Sequence, residues 1–200
     1  MARINPGAWA AMLADRPDLV ALPLVSGWVE RGWPLVIRRP DCAAPSDLIA
    51  LGIPLPPSHG KQRIAVSLPA TAITDLEPPP RLAEAAAAAP DGWRATIARL
   101  LGIAEDTRTF GSLAWEHLTG MTYLSPTSDI DVLWTSDSIA RLKEIKVIDD
   151  GAPMRIDGEI VAADGGAVQW RELLSGSDYV LVKRLDSVGT MPRAEFVASA

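Results

Sequence analysis

The stretch that decides the fold runs from Arg108 to Trp134 and reads RTFGSLAWEHLTGMTYLSPTSDIDVLW. It predicts a short strand, a turn at Gly111 and Ser112, a helix that ends near Gly120, and an apolar strand that carries two aspartates. A further helix, SIARLKEI, and two further strands, RIDGEIVA and DYVLVKRL, follow it in the sequence. Helices and strands that alternate at this length predict a mixed sheet with helices, in an α+β domain.

Two domains are predicted, with the boundary near Pro78. Residues 1–78 contain short apolar runs bounded by Gly and Pro, such as 34–39 and 63–68, which predict a small, mainly β N-terminal domain. Pro78 to Pro80 and an Ala-rich segment follow, and this segment predicts two helices that Pro90 divides and that end near Gly102. Residues 79–200 are therefore predicted to form the sheet domain.

The composition narrows the class of protein. The chain has 200 residues, is 48% apolar and carries a formal net charge of −6, which argues against a general nucleic-acid binder. Charged residues or prolines interrupt the apolar runs before about 18 residues, and no secretory pattern opens the chain, so we expect a soluble protein with no membrane partner. The single cysteine, Cys42, is expected to be a reduced thiol of a cytoplasmic protein.

Asp129 and Asp131 are the first candidates for chemistry. Side chains alternate in a strand, so both carboxylates are expected on one face while Ile130 and Val132 point to the other. Adjacent carboxylates repel each other unless solvent or a cation neutralises them, and Mg²⁺ binds such oxygen pairs together with substrate phosphates. The pair therefore predicts a metal-binding site, although most such pairs simply lie in exposed loops or at strand edges.

Gly111 and Ser112 are the second candidates. They follow a short strand and open a helix, where free backbone N–H groups and the positive end of the helix dipole favour a phosphate. Glycine also allows a ligand to approach the backbone closely. The alternative interpretation is an ordinary helix cap.

A third acidic candidate is Asp157, in the strand RIDGEIVA. Alternation places it on one face with Arg155 and Glu159, while Ile156 and Ile160 face the core. A solvated strand face is the alternative interpretation. Glu159 replaces Asp157 as the candidate if the assignment is off by two residues.

The order of these motifs resembles the nucleotidyltransferase superfamily over roughly residues 108–185. Further blocks extend the likeness over most of the chain: GWPLVIRRP, GIPLPPSHGKQRIAVSLP, VQWREL and YVLVKRL. Together with residues 108–134, these blocks resemble the malonate decarboxylase holo-acyl-carrier-protein synthases, which are phosphoribosyl-dephospho-CoA transferases. The first dozen residues carry no part of this likeness.

The resemblance implies a substrate, an acceptor and a metal. The substrate is 2′-(5″-triphosphoribosyl)-3′-dephospho-CoA, the acceptor is a serine of the apo acyl-carrier subunit of malonate decarboxylase, and pyrophosphate is released. It implies that Asp129 and Asp131 hold Mg²⁺, that Gly111 and Ser112 cradle the outer phosphates, and that Asp157 receives the serine proton or completes a second metal site.

Four cations are candidates for binding the anionic substrate: Arg38, Lys61, Arg63 and Lys183. For each of them the alternative is an ordinary solvated surface charge, and some could instead steer an acidic carrier protein. Two alternative functions remain open from the sequence. One is another small Mg²⁺-dependent nucleotidyltransferase acting on a small molecule or a protein hydroxyl, and the other is a non-catalytic binding module.

Overall fold

A computed structural model describes residues 1–40 and 47–199, so Cys42 lies outside the described residues. The chain divides into two compact units, Met1–Pro78 and Pro79–Ala200. Among the described residues, no helix combines the length and the apolar character that crossing a membrane requires.

Among its described residues, the N-terminal unit contains three α-helices and two small antiparallel sheets. The helices are α1 (Pro6–Ala14), α2 (Pro17–Val20) and α3 (Pro23–Ser26), and the strands are β1 (Ala2–Ile4), β2 (Val36–Ile37), β3 (Leu48–Pro54), β4 (Arg63–Pro69) and β5 (Ile73–Leu76). β2, β3 and β4 form one sheet in that order, and β1 pairs with β5 in the other. The prediction of a β-rich N-terminal part is confirmed.

The three helices of this unit were not predicted, and their prolines explain why. Each helix starts with proline at its first position, where the fixed φ suits a helix and no hydrogen-bond donor is lost. The same prolines break up the sequence pattern and so indicate strands and turns. The core between the helices and the sheets contains Trp9 and Trp28, whose indole N–H groups donate to the carbonyls of Ser26 and Pro34.

In the part that the structure describes, the C-terminal unit combines six α-helices with six strands. The helices are α4 (Leu82–Ala85), α5 (Arg94–Ile103), α6 (Gly111–Thr119), α7 (Leu142–Asp150), α8 (Trp170–Leu174) and α9 (Arg193–Ser199), and the strands are β6 (Arg108–Thr109), β7 (Ile130–Thr135), β8 (Ile156–Val161), β9 (Ala167–Gln169), β10 (Tyr179–Lys183) and β11 (Val188–Pro192). The predicted α+β class is confirmed, and so are the predicted helices on both sides of Pro90.

The six strands form one mixed sheet in the order β11-β10-β9-β8-β7-β6. β7 and β8 are parallel, because α7 provides the crossover between them, and the other neighbours are antiparallel. One face of this sheet is packed into the core together with side chains of α4, α5, α7 and α8. Its buried strand residues are Ile130, Val132, Trp134, Ile156, Ile160, Val168, Val180 and Val182.

The opposite face of the sheet carries the polar residues. Along β7, β8 and β10 the buried positions alternate with half-buried or exposed ones, as a strand with one covered face requires. Asp131, Asp157 and Glu159 occupy these alternate positions. We call this surface the carboxylate face.

Candidate active site

Gly111 and Asp131 meet at the junction of β6, α6 and β7. Gly111 adopts a left-handed backbone with φ +60°, and a Cβ atom built on it would lie 1.8 Å from Oδ2 of Asp131. Only glycine leaves space for the carboxylate here. The backbone N–H of Ser112, in the first turn of α6, donates to the Asp131 carboxylate. The glycine-serine turn and this aspartate are therefore parts of one site.

The main chain of Asp131 is held in place from the edge strand. Its carbonyl accepts hydrogen bonds from the Thr109 hydroxyl at 2.8 Å and from the Phe110 N–H at 3.1 Å. The Thr109 side chain is fully buried, so its hydroxyl has little freedom to move away. Sequence reasoning missed Thr109, because a single threonine on a two-residue strand has no pattern that distinguishes it.

Asp157 lies beside Asp131 on the neighbouring parallel strand. The two residues are paired in register between β7 and β8, so their side chains emerge from the same face about 4.8 Å apart at the backbone. The Gln169 amide donates to Oδ1 of Asp157 at 3.4 Å, and the Arg155 guanidinium lies 3.9 Å from the same oxygen. The structure thus brings together two carboxylates that are 26 residues apart in the sequence.

Asp129 completes the acidic cluster from the loop before β7. It lies one residue before the first residue of the strand, where Ile130 N–H donates to the Arg155 carbonyl. It is half-buried, and its charge acts on Asp131.

Burial and the neighbouring negative charges both raise the pKa of Asp131. Burial, and after it the charges of Asp157 and Asp129, raise this pKa from its ordinary value to about 6, while the Ser112 N–H opposes the change. Like charges that share a half-buried site disfavour ionisation of one another. A cation placed among these carboxylates would remove that penalty, so the donor set fits a hard divalent ion.

The described residues contain no group of three or more His, Cys, Asp or Glu side chains arranged to hold a metal. Mg²⁺ does not require such a group, because it is commonly bound by one or two carboxylates plus the phosphates of a substrate. Asp129 and Asp131 therefore remain candidates for a site that a phosphate ligand would complete.

Lys183 lies on the carboxylate face but already has a partner. Its ammonium group contacts Oε1 of Glu159 at 2.6 Å, and this ion pair connects β10 to β8 across β9. Glu159 is the residue that the sequence offered as a substitute for Asp157. The structure instead gives it the role of partner to Lys183, whereas Asp157 is the residue paired with Asp131.

The other three candidate cations belong to the N-terminal unit. Arg38 follows β2 and donates through Nε to the Leu51 carbonyl at 3.3 Å. Lys61 lies in the turn after Gly60 with a positive φ of 53°, and Arg63 begins β4 with an exposed side chain. Their part in substrate binding stays a prediction.

Arg155 and Gln169 are the residues of this face that sequence reasoning did not select. Arg155 was placed correctly on the face of Asp157 but received no role, and Gln169 belongs to the block VQWREL without an expected function. Gln169 also caps α8, because its side-chain oxygen accepts from the Arg171 N–H at 2.6 Å. No local signal marks this cap in the sequence, because glutamine is not among the residues preferred at a helix start.

Comparisons with known proteins cover both units. Residues 81–194 match the family described as phosphoribosyl-dephospho-CoA transferase MdcG C-terminal domain, and residues 6–79 match the corresponding N-terminal domain. A phosphoribosyl-dephospho-CoA transferase of Bradyrhizobium diazoefficiens is 40% identical over 207 residues, which cover 98% of this chain and 90% of that protein. One of Xanthomonas campestris pv. campestris is 36% identical over 192 residues, which cover 90% of each chain.

No solved structure matches the chain significantly. The family assignment depends instead on sequence, through two domain matches and relatives that align over nearly the whole chain. The chain therefore belongs to the phosphoribosyl-dephospho-CoA transferase family.

Proposed function

We propose that the protein transfers the phosphoribosyl-dephospho-CoA group from 2′-(5″-triphosphoribosyl)-3′-dephospho-CoA to a serine of the apo acyl-carrier subunit of malonate decarboxylase, with release of pyrophosphate. The observation that carries the proposal is the in-register pair of Asp131 and Asp157, which adjoins the Gly111–Ser112 turn on the open face of the sheet. Membership in the transferase family supports the identity of the transferred group.

In the proposed reaction the serine oxygen forms a bond to the α-phosphorus while the bond from that phosphorus to the pyrophosphate oxygen breaks. The serine proton passes to a carboxylate of the site, and the product is a phosphodiester. Asp157 suits the role of proton acceptor, because it is half-buried on the carboxylate face and Gln169 holds one of its oxygens. The Arg155 guanidinium lies 3.9 Å from the same oxygen.

Asp129 and Asp131 are the proposed ligands of Mg²⁺. When bound, Mg²⁺ neutralises negative charge on the phosphoryl oxygens and on the departing pyrophosphate. The environment of Asp131 supports this assignment, since burial and the neighbouring charges of Asp157 and Asp129 raise its pKa to about 6, and a bound cation would offset both effects. The assignment of the chain to the nucleotidyltransferase superfamily is also part of the proposal.

The outer phosphates are proposed to lie against Gly111 and Ser112, at the start of the nine-residue helix α6. Backbone N–H groups at a helix start favour anions, and the Ser112 hydroxyl adds a further donor. Lys183 is proposed to leave Glu159 and bind the substrate, because its side chain is 43% exposed and can swing. Arg38, Lys61 and Arg63 are the proposed contacts from the N-terminal unit.

Mass spectrometry of the carrier subunit tests the proposal. Purified apo carrier, enzyme, Mg²⁺ and the triphosphoribosyl substrate should give a carrier heavier by one phosphoribosyl-dephospho-CoA group, attached through serine. Replacing the acceptor serine by alanine should prevent the change. If the carrier's mass stays unchanged while ATP supports nucleotidyl transfer to another hydroxyl, the chain is instead a different nucleotidyltransferase. If neither transfer occurs and the substrate still binds, the chain is a binding module.

A further inference from the structure

The hairpin formed by β10 and β11 concentrates exposed apolar side chains. Nine large apolar side chains are exposed among the described residues, and four of them lie between residues 179 and 188: Tyr179 at 61%, Leu181 at 37%, Leu185 at 59% and Val188 at 49%. Single exposed apolar residues need no explanation, but a cluster within one hairpin is typical of a binding surface. We call these four residues the hairpin patch.

Strand pairing places three members of the patch on the carboxylate face. Lys183 contacts Glu159 directly, which fixes the side of the sheet to which the odd-numbered residues of β10 point. Tyr179 and Leu181 share that side because strand side chains alternate, and Val188 shares it because it is paired directly with Lys183. Leu185 lies in the connection between the two strands. The patch therefore lies on the same sheet face as Asp131 and Asp157.

The strand order also fixes the direction from the carboxylates to the patch. β8 and β10 are separated by one strand, so the patch begins roughly 10 Å from the Asp157 strand at a spacing of about 4.8 Å per strand. Gly111 and Ser112 follow β6, on the opposite side of Asp131 from the patch. The glycine-serine turn and the hairpin patch thus flank the carboxylates from opposite sides.

The geometry of phosphoryl transfer then distinguishes the two sides. The attacking and leaving oxygens are roughly in line on opposite sides of the phosphorus. With the leaving pyrophosphate at Gly111 and Ser112, as in the proposed function on which this inference rests, the attacking serine approaches from the side of β8 to β11. We propose that the hairpin patch is the docking surface for the acceptor protein whose serine receives the transferred group.

The make-up of the patch fits a protein partner better than a small ligand. Small-molecule sites are concave, whereas this surface lies on the outermost two strands of the sheet. Its apolar side chains are accompanied by two ion pairs, Lys183 with Glu159 and Arg184 with Asp164. An apolar centre with a polar rim is the usual anatomy of a protein interface.

Steady-state kinetics with two substrates tests the proposal. In Leu181→Asp and in Tyr179→Ala, we expect the KM for the apo acyl-carrier subunit of malonate decarboxylase to rise by about tenfold, the loss typical of a residue at the centre of an interface. The KM for the triphosphoribosyl substrate should stay at its wild-type value. Val147→Asp is the matched control, because Val147 is 63% exposed on α7 and lies outside the patch.

Three results would overturn the docking surface. Wild-type KM values for the carrier in both folded variants would exclude the patch as the contact. A rise only in the KM for the triphosphate would make the patch a nucleotide platform. A wild-type dimer that the variants dissociate, with carrier KM unchanged, would make it a contact between copies of the chain. Failure of wild-type enzyme to modify the carrier would instead refute the proposed function, so the two failures are distinguishable.

Discussion

Asp131 occupies a position that costs stability and that the proposed chemistry requires. Its carboxylate fills the space above Gly111, accepts the Ser112 N–H and has acidic neighbours on two sides. In the unfolded chain the same group is solvated and ionises at its ordinary pKa. The raised pKa therefore means that the folded protein binds a proton at Asp131 more tightly than the unfolded protein does.

Replacing Asp131 with Asn should stabilise the metal-free protein while it removes activity. The amide keeps an oxygen that can accept the Ser112 N–H but carries no charge. At pH 8 we expect the free energy of unfolding to rise by about 1–2 kcal/mol, the linkage contribution reduced for solvent screening. Urea denaturation in the presence of a chelator measures it, with Asp137→Asn, an exposed aspartate of the same unit, as the control.

The pH dependence of this gain has a definite sign. Because the folded pKa of Asp131 is raised to about 6, the wild-type protein loses stability from this group as the pH rises from about 4 to 6. The difference in the free energy of unfolding between Asp131→Asn and wild type should therefore reach its maximum above pH 6 and disappear below pH 4. A difference that grows towards acid pH would contradict the assigned environment.

Gly111→Ala should damage the site by more than the backbone strain of alanine in a left-handed conformation explains. An alanine at φ +60° costs about 1 kcal/mol, and its Cβ would also collide with the Asp131 carboxylate. Gly120→Ala is the matched control, because Gly120 ends the same helix at φ +70° and has no atom within 4 Å of its ideal Cβ. We expect both variants to lose stability in thermal unfolding, Gly111→Ala by more because of this collision, but only Gly111→Ala to lose transfer activity. Equal activities would argue that the turn is only a helix cap.

At the scale of the elements, the contact between β7 and β8 sets the positions of the two key carboxylates. On the buried face beneath them, a Cβ built on Gly158 would lie 2.2 Å from the ring of Trp134. The Trp134 ring is buried and occupies the space that a side chain on Gly158 would need. Glycine at this position lets the parallel strands keep the register that pairs Asp131 with Asp157.

Gly158→Ala should therefore overpack the core and destabilise the C-terminal unit by about 1–3 kcal/mol. Gly189→Ala in β11 is the control, because its ideal Cβ has no neighbour within 4 Å and alanine suits a strand better than glycine. Chemical denaturation followed by tryptophan fluorescence compares the two variants. A Gly158→Ala protein as stable as wild type would show that Trp134 moves freely.

Some of these elements could be predicted from the sequence, and the reason differs between them. α6 and β7 were predictable because a glycine turn, a helix ending at Gly120 and an apolar run that includes two alternating aspartates are local signals. β9 was missed because a strand of three residues is too short to show periodicity, and β11 was missed because glycine and proline interrupt its five residues. The register of Asp131 with Asp157 depends on long-range pairing, which no local pattern encodes.

At the scale of the whole molecule, the C-terminal unit contains a complete core. Among the described residues, its buried cluster runs from Leu82 to Phe196. A fragment of residues 79–200 should therefore unfold cooperatively on its own, as measured by circular dichroism in urea. A fragment without a cooperative transition would show that its fold depends on residues 1–78.

The role of the N-terminal unit is testable in the intact chain. If Lys61 and Arg63 bind the triphosphate, Lys61→Ala and Arg63→Ala should each raise the KM for the triphosphoribosyl substrate several-fold, because each variant removes one charge-assisted contact. Arg94→Ala is the control, since Arg94 is an exposed cation that pairs with Asp91 on the helical side of the C-terminal unit. Unchanged KM values in both N-terminal variants would make them ordinary surface cations.

The rate of carrier modification in a single turnover tests the central claim most directly. Wild type, Asp131→Asn and Asp157→Asn are mixed with the triphosphoribosyl substrate, Mg²⁺ and apo carrier, and the modified carrier is quantified by mass spectrometry over time. The account predicts that both variants fold and that Asp131→Asn is at least as stable as wild type. Each variant should modify the carrier more slowly by about 100-fold or more, as expected from losing several kcal/mol of transition-state stabilisation. Wild-type rates in both variants would contradict it.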